Sequence, residues 1–545
     1  MPKQKIPKPQ VPQPQVTIPA SAIIVHTPTG DRPLDVVLYN ILHGILTDCV
    51  RYRLDDIGFG NLYTDIYKYK VRYVIERKCW YVYDDIRWGR NDAAAMELCK
   101  QMTREVKDYC LQNLPPDNGN DVYKCVKKLT NRKSRETILE DASSVYPIHV
   151  SEFDKNPMLF NVKNGTLDLT TYTLRPHNPD DLMTKVANVT YEPSAICDRW
   201  IQHIREVTEG DDKLAEYMQK SFGSCLTGEN PYECFFLLYG PTTRNGKSTT
   251  METIMAMMGD YGTTSTPETI AQKQNYNGGG PSENIARLAG ARIVNIPEPD
   301  KKLVLSSAMV KTLTGNDTIT ARYLHENSFE FRPTFKFFIN TNHLPRIPDL
   351  TVFRSGRVKV IPFKHHFDAG SQDKNLKATL MQPHNQSGIL NWHIEGLKLQ
   401  RSQGFAEPQA VIEATAEYHH DSDKIALFLE DCMKPSPGNN TKMDDAYNVF
   451  QSWCSSYGIR AEGLPQFRKG LEAHVKIGRS RSVCGTKRPN PVACIFDYIL
   501  LAQQNYYLTV CGNTMNAACG QAGCANPNVG NLADPQTQPS GNSNP

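Results

Sequence analysis

Cys234-Phe-Phe-Leu-Leu-Tyr239 runs directly into Gly240-Pro-Thr-Thr-Arg-Asn-Gly-Lys-Ser248, and that into the helical stretch Thr249–Met258. A continuous apolar run without polar alternation fits a strand covered on both faces. Strand, glycine-bounded loop and helix is the arrangement a triphosphate requires. Backbone N–H groups and the helix N-terminus face the anion, Lys247 reaches the β- and γ-phosphates, and the Ser248 hydroxyl ligates Mg2+. The nucleotide-contacting candidates are therefore Gly240, Pro241, Thr242, Thr243, Arg244, Asn245, Gly246, Lys247, Ser248 and Thr249. The strict spacing places four residues between the glycines. Here five intervene, and Pro241 stands where the first glycine usually does.

Further along, Ala291–Ile296 predicts a second apolar strand running into Pro297-Glu298-Pro299-Asp300. Carboxylates at the end of a strand beside a phosphate loop hold Mg2+ and orient the attacking water. Glu298 is assigned that metal and water role, with Asp300 supporting it. Phe335–Ile339 predicts a third strand ending in Asn340-Thr341-Asn342, where Asn342 is the candidate for contact with the γ-phosphate or the water. Between them, Ile319–Leu324 and Phe329–Arg332 read as two strands around a four-residue polar turn, a hairpin. Lys311, Arg322, His325 and Arg332 are its candidates for a phosphate backbone. Arg357, preferred over Arg354 because it abuts the strand Val358–Phe363, is placed to reach a neighbouring subunit's nucleotide.

Upstream, residues 55–195 read as a mixed α/β block. Arg72–Glu76 and Trp80–Tyr83 are short strands, Asn91–Leu111 a helix, and Phe160–Leu167 a hairpin turning at Asn164-Gly165. Helices run from Asp198, read as an N-cap, to about Ser221. Residues 1–54 are a proline-rich arm and linker, and 491–545 an extension whose last forty residues carry one charge, Asp534, and are expected to be disordered. The net charge of +3 is too small to identify a polyanion partner. No apolar run approaches the ~18–20 residues that cross a bilayer, and the N-terminus lacks a secretory pattern, so membrane and secreted classes are excluded. The fifteen cysteines contain no CxxC pair and read as reduced thiols, the Cys511, Cys519, Cys524 group included.

Taken together, Gly240–Thr249, Arg292–Asp300, Lys311–Tyr323, Phe329–Lys336, Thr341-Asn342 and Arg357–Phe363 resemble the motifs of superfamily 3 helicases, especially the phage/plasmid and poxvirus-type primase-helicases. Trp80–Asp84, Arg87-Trp88, Asn164–Asp168 and Leu226–Gly228 resemble that family's helicase-associated N-terminal region. The resemblance spans about 55–485. It implies an AAA+-like P-loop ATPase core over 196–410, assembled as a homo-oligomeric ring, a hexamer, that hydrolyses ATP with Mg2+ to translocate on and unwind single-stranded and forked DNA. Lys247 and Ser248 then take the phosphate and Mg2+ roles, Glu298 the acidic role, Asn342 the sensor role and Arg357 the finger role. Because Pro299 splits the acidic pair, which carboxylate activates water stays open. Relatives often carry a primase domain ahead of the helicase. Only about fifty residues precede the matched region here, so primer synthesis is expected from a primase or replisome partner in trans.

Downstream, Lys424–Met433, Asp444–Tyr457 and Leu464–Val475 read as helices, followed by the acid-free ribbon His474–Arg488. Three helices and a basic ribbon fit a winged-helix-like module over 411–490, with Lys476, Arg479 and Arg481 on DNA. The leading expectation is a replicative helicase of a phage, plasmid or other mobile element, working in the host cytoplasm. The alternative is an ATP-switched origin-binding scaffold without processive unwinding.

Overall fold

The computed structural model describes residues 50–52, 55–113, 124, 126–272, 283–299, 303–324, 327–368, 370–458, 460–483 and 485–501. Asp300, His325, most of the proline-rich arm, the C-terminal tail and its three cysteines lie outside the described residues. The chain divides into two units between Ser422 and Asp423.

The first unit opens with α1 (Asp56–Ile66), whose N-cap Asp55 accepts from the Gly58 N–H at 2.8 Å. Strands β1 (Val71–Val74), β2 (Cys79–Tyr83) and β3 (Trp88–Arg90) form an antiparallel meander. Helices α2 (Asp92–Asn113) and α3 (Arg132–Ala142) follow, and β4 (Pro147–Ile148) returns parallel to β1. A second small sheet contains β5 (Leu159–Val162), β6 (Gly165–Asp168) and β7 (Thr173–Arg175). Its predicted hairpin is present, but Lys163-Asn164 makes the turn and Gly165 opens β6. Gly165 is required for another reason: a Cβ there would sit 2.5 Å from the Arg175 carbonyl oxygen.

Helices α4 (Asp198–Val207) and α5 (Asp212–Gly223) lead to the central sheet. Asp198 is the first helical residue rather than the cap, and Cys197 at the cap position makes no side-chain bond. The central sheet is wholly parallel and built from β8 (Phe235–Tyr239), β9 (Gly262–Thr264), β10 (Ile293–Ile296), β13 (Lys336–Thr341) and β14 (Val358–Pro362). Its spatial order is β14-β8-β13-β10-β9. The apolar run of β8 is explained by its two neighbours in depth. Phe236 and Leu238 enter one core with Trp200, Tyr217 and Ile389, while Phe235 and Leu237 enter the other with Val294, Phe337 and Val360. Neither face meets water, so neither tolerates a polar residue. Helix α6 (Lys247–Met258) follows β8, and α7 (Ser307–Thr314) precedes the hairpin strands β11 (Ile319–Ala321) and β12 (Phe329–Phe331), which pair antiparallel as expected but are shorter. Helices α8 (Pro383–Gln403) and α9 (Gln409–Ser422) close the unit. Because α9 buries Val411 and Tyr418 in the cores of the first unit, the second begins at Asp423 rather than at the expected 411.

One side chain ties the N-terminal segments to the sheet. Arg292, 3% exposed at the entrance of β10, donates to the carbonyls of Pro157 (2.6 Å), Leu226 (3.2 Å) and Leu159 (3.2 Å) and lies over the Tyr261 ring. Arg292→Ala orphans three buried carbonyls; the expected loss is about 3 kcal/mol or more of unfolding free energy, measured by denaturant titration. A loss under about 1 kcal/mol would show that water replaces the guanidinium without penalty.

The second unit runs α10 (Lys424–Cys432), β15 (Met433–Lys442), α11 (Met443–Ser456), α12 (Leu464–Leu471), β16 (Ile477–Val483) and β17 (Thr486–Leu500). Its antiparallel sheet has the order β15-β17-β16. Asp423 caps α10 through the N–H groups of Ile425 and Ala426, both at 3.1 Å. Phe428, Phe450, Trp453 and Phe467 form its aromatic core. Among the described residues no helix is long and apolar enough to cross a membrane.

Candidate functional site

The central sheet aims the carboxyl ends of β8, β10 and β13 at one edge, the place where open parallel sheets bind ligands. The register sets the depth of each end: Tyr239 of β8 lies beside Thr341 of β13, and Ile296 of β10 beside Ile339. The residues that follow these ends are Gly240, Asn342 and Glu298.

At the loop, Gly240 is enclosed. A Cβ there would meet the Asn245 Nδ2 at 2.0 Å and the Phe363 carbonyl oxygen at 2.5 Å. Pro241, Thr242, Thr243 and Arg244 are exposed, whereas Asn245 is buried and folds back, donating Nδ2 to the Thr242 carbonyl at 2.8 Å. Arg244 (φ 59°) and Gly246 (φ 84°) both take the left-handed conformation that turns the chain into α6. The N–H groups of Lys247, Ser248 and Thr249 open α6, where a helix has no internal acceptors for its first donors.

Lys247 is the centre of the site. Its side chain is buried, and its Nζ donates to Asn342 Oδ1 (2.7 Å), Asn245 Oδ1 (2.9 Å) and the Gly240 carbonyl (3.2 Å). Asn342 in turn donates Nδ2 to Glu298 Oε1 at 2.7 Å. Loop lysine, strand-end asparagine and strand-end carboxylate thus form one hydrogen-bonded chain across three neighbouring strands. Burial pushes the Lys247 ammonium down to about 8, and the Glu298 charge opposes the shift. Ser248 and Glu298 are both exposed and available to a cation. A buried ammonium bonded only to neutral oxygens, a loop too tight for a Cβ and free N–H groups at a helix start together fit a polyphosphate.

Sequence reasoning missed the support behind the loop. His203 of α4, fully buried, has Nε2 2.9 Å from Thr250 Oγ1, and that hydroxyl donates to the Gly246 carbonyl at 3.0 Å. Burial holds the imidazole down to about 4, so it stays neutral at physiological pH. The Phe367 N–H donates to the Arg244 carbonyl at 2.8 Å. The only sequence signal was the apolar periodicity of α4, which marks His203 as core without pointing to the loop.

The remaining expected residues lie elsewhere. Arg357 precedes β14, at the opposite end of the sheet from the loop. It pairs with Glu233 Oε2 at 2.6 Å and donates to Thr314 Oγ1 at 2.8 Å. Arg354, exposed at the end of the helical turn Thr351–Arg354, has no side-chain hydrogen-bond or ion-pair partner among the described residues. Lys311 belongs to α7 and not to the hairpin, and is held by Asp349 Oδ2 at 2.9 Å and Thr351 Oγ1 at 2.8 Å. Arg322 follows β11, half-exposed, and Arg332 follows β12, exposed. The hairpin itself is anchored by Tyr323 stacked on Phe329, with the Arg77 guanidinium over both rings. In the second unit, Lys476, Arg479 and Arg481 are exposed at and along β16, and Lys487 and Arg488 are exposed at the start of β17.

Three family descriptions match this chain in order: "D5 N terminal like" over residues 60–209, a family of unknown function over 238–356, and "Poxvirus D5 protein-like" over 420–492. Among curated proteins, "Putative helicase L207/L206" of Acanthamoeba polyphaga mimivirus is 27% identical over 365 residues, covering 62% of this chain and 37% of that one. "Putative helicase 022R" of Frog virus 3 (isolate Goorha) is 26% identical over 283 residues, covering 48% and 29%. These matches support a likeness to the primase-helicase family. The chain spans 37% and 29% of the length of these two relatives. The apo C-terminal region of NrS-1 superposes with a TM-score of 0.44 at 11% identity, over 80% of this chain and 98% of that structure. The middle match covers the loop, Glu298, Asn342 and Arg354.

Proposed function

We propose that this chain is an ATP-dependent replicative DNA helicase of a virus, phage, plasmid or other mobile element, acting in the host cytoplasm. The observation that carries the reading is the chain Lys247–Asn342–Glu298 at the carboxyl ends of three adjacent parallel strands. The sheet order, in which the loop-bearing strand lies between the last two strands of the central sheet, supports an AAA+-like P-loop core. The viral relatives named as helicases support the same class.

In this reading Lys247 exchanges its neutral oxygens for β- and γ-phosphate oxygens, and the α6 N-terminus and loop N–H groups complete the cradle. Ser248 and Glu298 would hold Mg2+, which when bound neutralises phosphate charge. Glu298 accepts the proton of the attacking water, and Asn342, already bonded to it, orients that carboxylate. The sites are assembled in a hexameric ring, in which an arginine of one protomer serves the next. Arg357 takes that role only by releasing Glu233 and Thr314, whereas Arg354 starts free. The order helix–strand–helix–helix–strand–strand of the second unit supports a winged-helix module with β16–β17 as its basic wing. Forked DNA and a primase supplied in trans are the partners.

The test is DNA-stimulated ATP hydrolysis coupled to strand displacement, both abolished in Lys247→Ala; unwinding by that variant would overturn the proposal. The lowered Lys247 value adds a pH dependence. Below about pH 8 the empty site holds an ammonium; above it the amine is increasingly neutral and must take up a proton to pair with phosphate. The Kd for a fluorescent ATP analogue should therefore rise from pH 8 to 9.5, by up to about tenfold per unit. Lys247→Arg, charged throughout, should flatten the profile. A flat wild-type profile would show that the ammonium is not desolvated as described.

A further inference from the structure

From Lys124 to Arg135 the sequence reads Lys-Cys-Val-Lys-Lys-Leu-Thr-Asn-Arg-Lys-Ser-Arg, six cations without a carboxylate. Buried anchors and local hydrogen bonds hold the stretch from Val126 onward. Val126 (2% exposed) and Leu129 (3%) anchor it in the core beneath α1–α3. The Asn131 N–H donates to the Lys128 carbonyl at 2.9 Å, Thr130 Oγ1 to the Lys127 carbonyl at 2.8 Å, and Arg135 to the Thr130 carbonyl at 2.5 Å. Lys127, Lys128, Arg132 and Lys133 are left exposed around one turn. Arg132 meets Glu136 at 2.7 Å on the open surface, a pair worth little; the three lysines have no ion-pair partner among the described residues. Arg132 and Lys133 occupy the first turn of α3, where positive charge opposes the helix dipole. Among the described residues, the charges of Lys127, Lys128 and Lys133 are thus left without an ion-pair partner.

We propose that this turn is a second nucleic-acid surface, which binds the phosphate backbone of single-stranded DNA independently of base sequence. An acidic protein would satisfy the same charges. A protein interface, however, is built around an apolar or aromatic centre, and between Lys127 and Lys133 the one apolar side chain, Leu129, points into the core. Exposed Asn131 adds a side-chain amide donor of the kind phosphates accept. The surface rests on the helicase reading only for the choice of DNA as ligand.

The experiment is fluorescence anisotropy of a labelled oligo-dT against salt concentration, with the full chain and its K127Q/K128Q/R132Q/K133Q variant. Four phosphate contacts on a single strand contribute a slope of about 0.7 each, so the log–log salt slope should fall by about 3 and affinity at ~50 mM salt by tenfold or more. DNA-independent ATP turnover should be unchanged, since the turn is anchored in a different hydrophobic core from those that hold the loop's strand and helix. Lys128→Gln and Lys133→Gln alone should each remove about 0.7 from the slope, which keeps the test valid should the quadruple variant misfold. If the wild type shows DNA-stimulated turnover while the variants keep its slope and affinity, this surface is overturned and the helicase reading stands. Loss of binding to polyglutamate with oligo-dT binding intact would assign the turn to an acidic protein and overturn it equally. A wild type that binds no oligonucleotide would overturn both.

Discussion

Lys247→Ala is expected to lower kcat/KM for ATP by at least about a thousandfold, or about 4 kcal/mol of transition-state stabilisation. The ammonium is the one cation hydrogen-bonded within the loop, it is buried, and it sits where a water-poor environment magnifies its attraction for phosphate. Its removal also unties Asn342, which loses one of its two partners and with it the fixed orientation toward Glu298. Folding stability should move much less, by about 1 kcal/mol or under, because the loss of three hydrogen bonds is offset by relief of the desolvated charge. The measurement pairs phosphate release, with and without single-stranded DNA, with a thermal melt. A protein that melts normally and turns over within tenfold of wild type would remove Lys247 from the chemistry.

Residues 234–258 made the core legible because two constraints coincide there. A strand covered on both faces must be apolar throughout, and a helix entered from a glycine turn must begin at a fixed point. The strand ends carrying Glu298 and Asn342 were legible for the same reason. What the sequence could not disclose was who meets whom across the fold. Arg357 adjoins its strand as expected, yet Glu233, 124 residues earlier, captures it. Lys311 reads as part of a basic hairpin until Asp349 takes its charge. His203 supports the loop from a helix that precedes it by forty residues. Such pairings depend on tertiary contacts that periodicity does not encode, and the turn at Lys127–Lys133 likewise went unread in the sequence, because only the fold shows Leu129 turned inward and the three lysines exposed.

Glu298→Gln should separate binding from hydrolysis. The glutamine keeps an oxygen that accepts from Asn342 Nδ2, so the chain from Lys247 to position 298 survives in shape. It loses the charge that holds the Lys247 value up and the basicity that takes a proton from water. Nucleotide affinity should stay within about threefold at pH 7, while steady-state turnover falls by about a hundred- to a thousandfold, the range of a lost general base or oriented charge. Because binding persists, the variant should still assemble with ATP and hold single-stranded DNA, accumulating as a stalled complex that native mass spectrometry can weigh. The comparison that decides the role is with Asp300→Asn. The bond from Asn342 favours Glu298 as the working base, so the Asp300 variant should retain most of its rate. Full turnover by Glu298→Gln together with a dead Asp300→Asn would move the water-activating role two residues along the loop, leaving Asn342 to position a carboxylate that only neighbours the reaction.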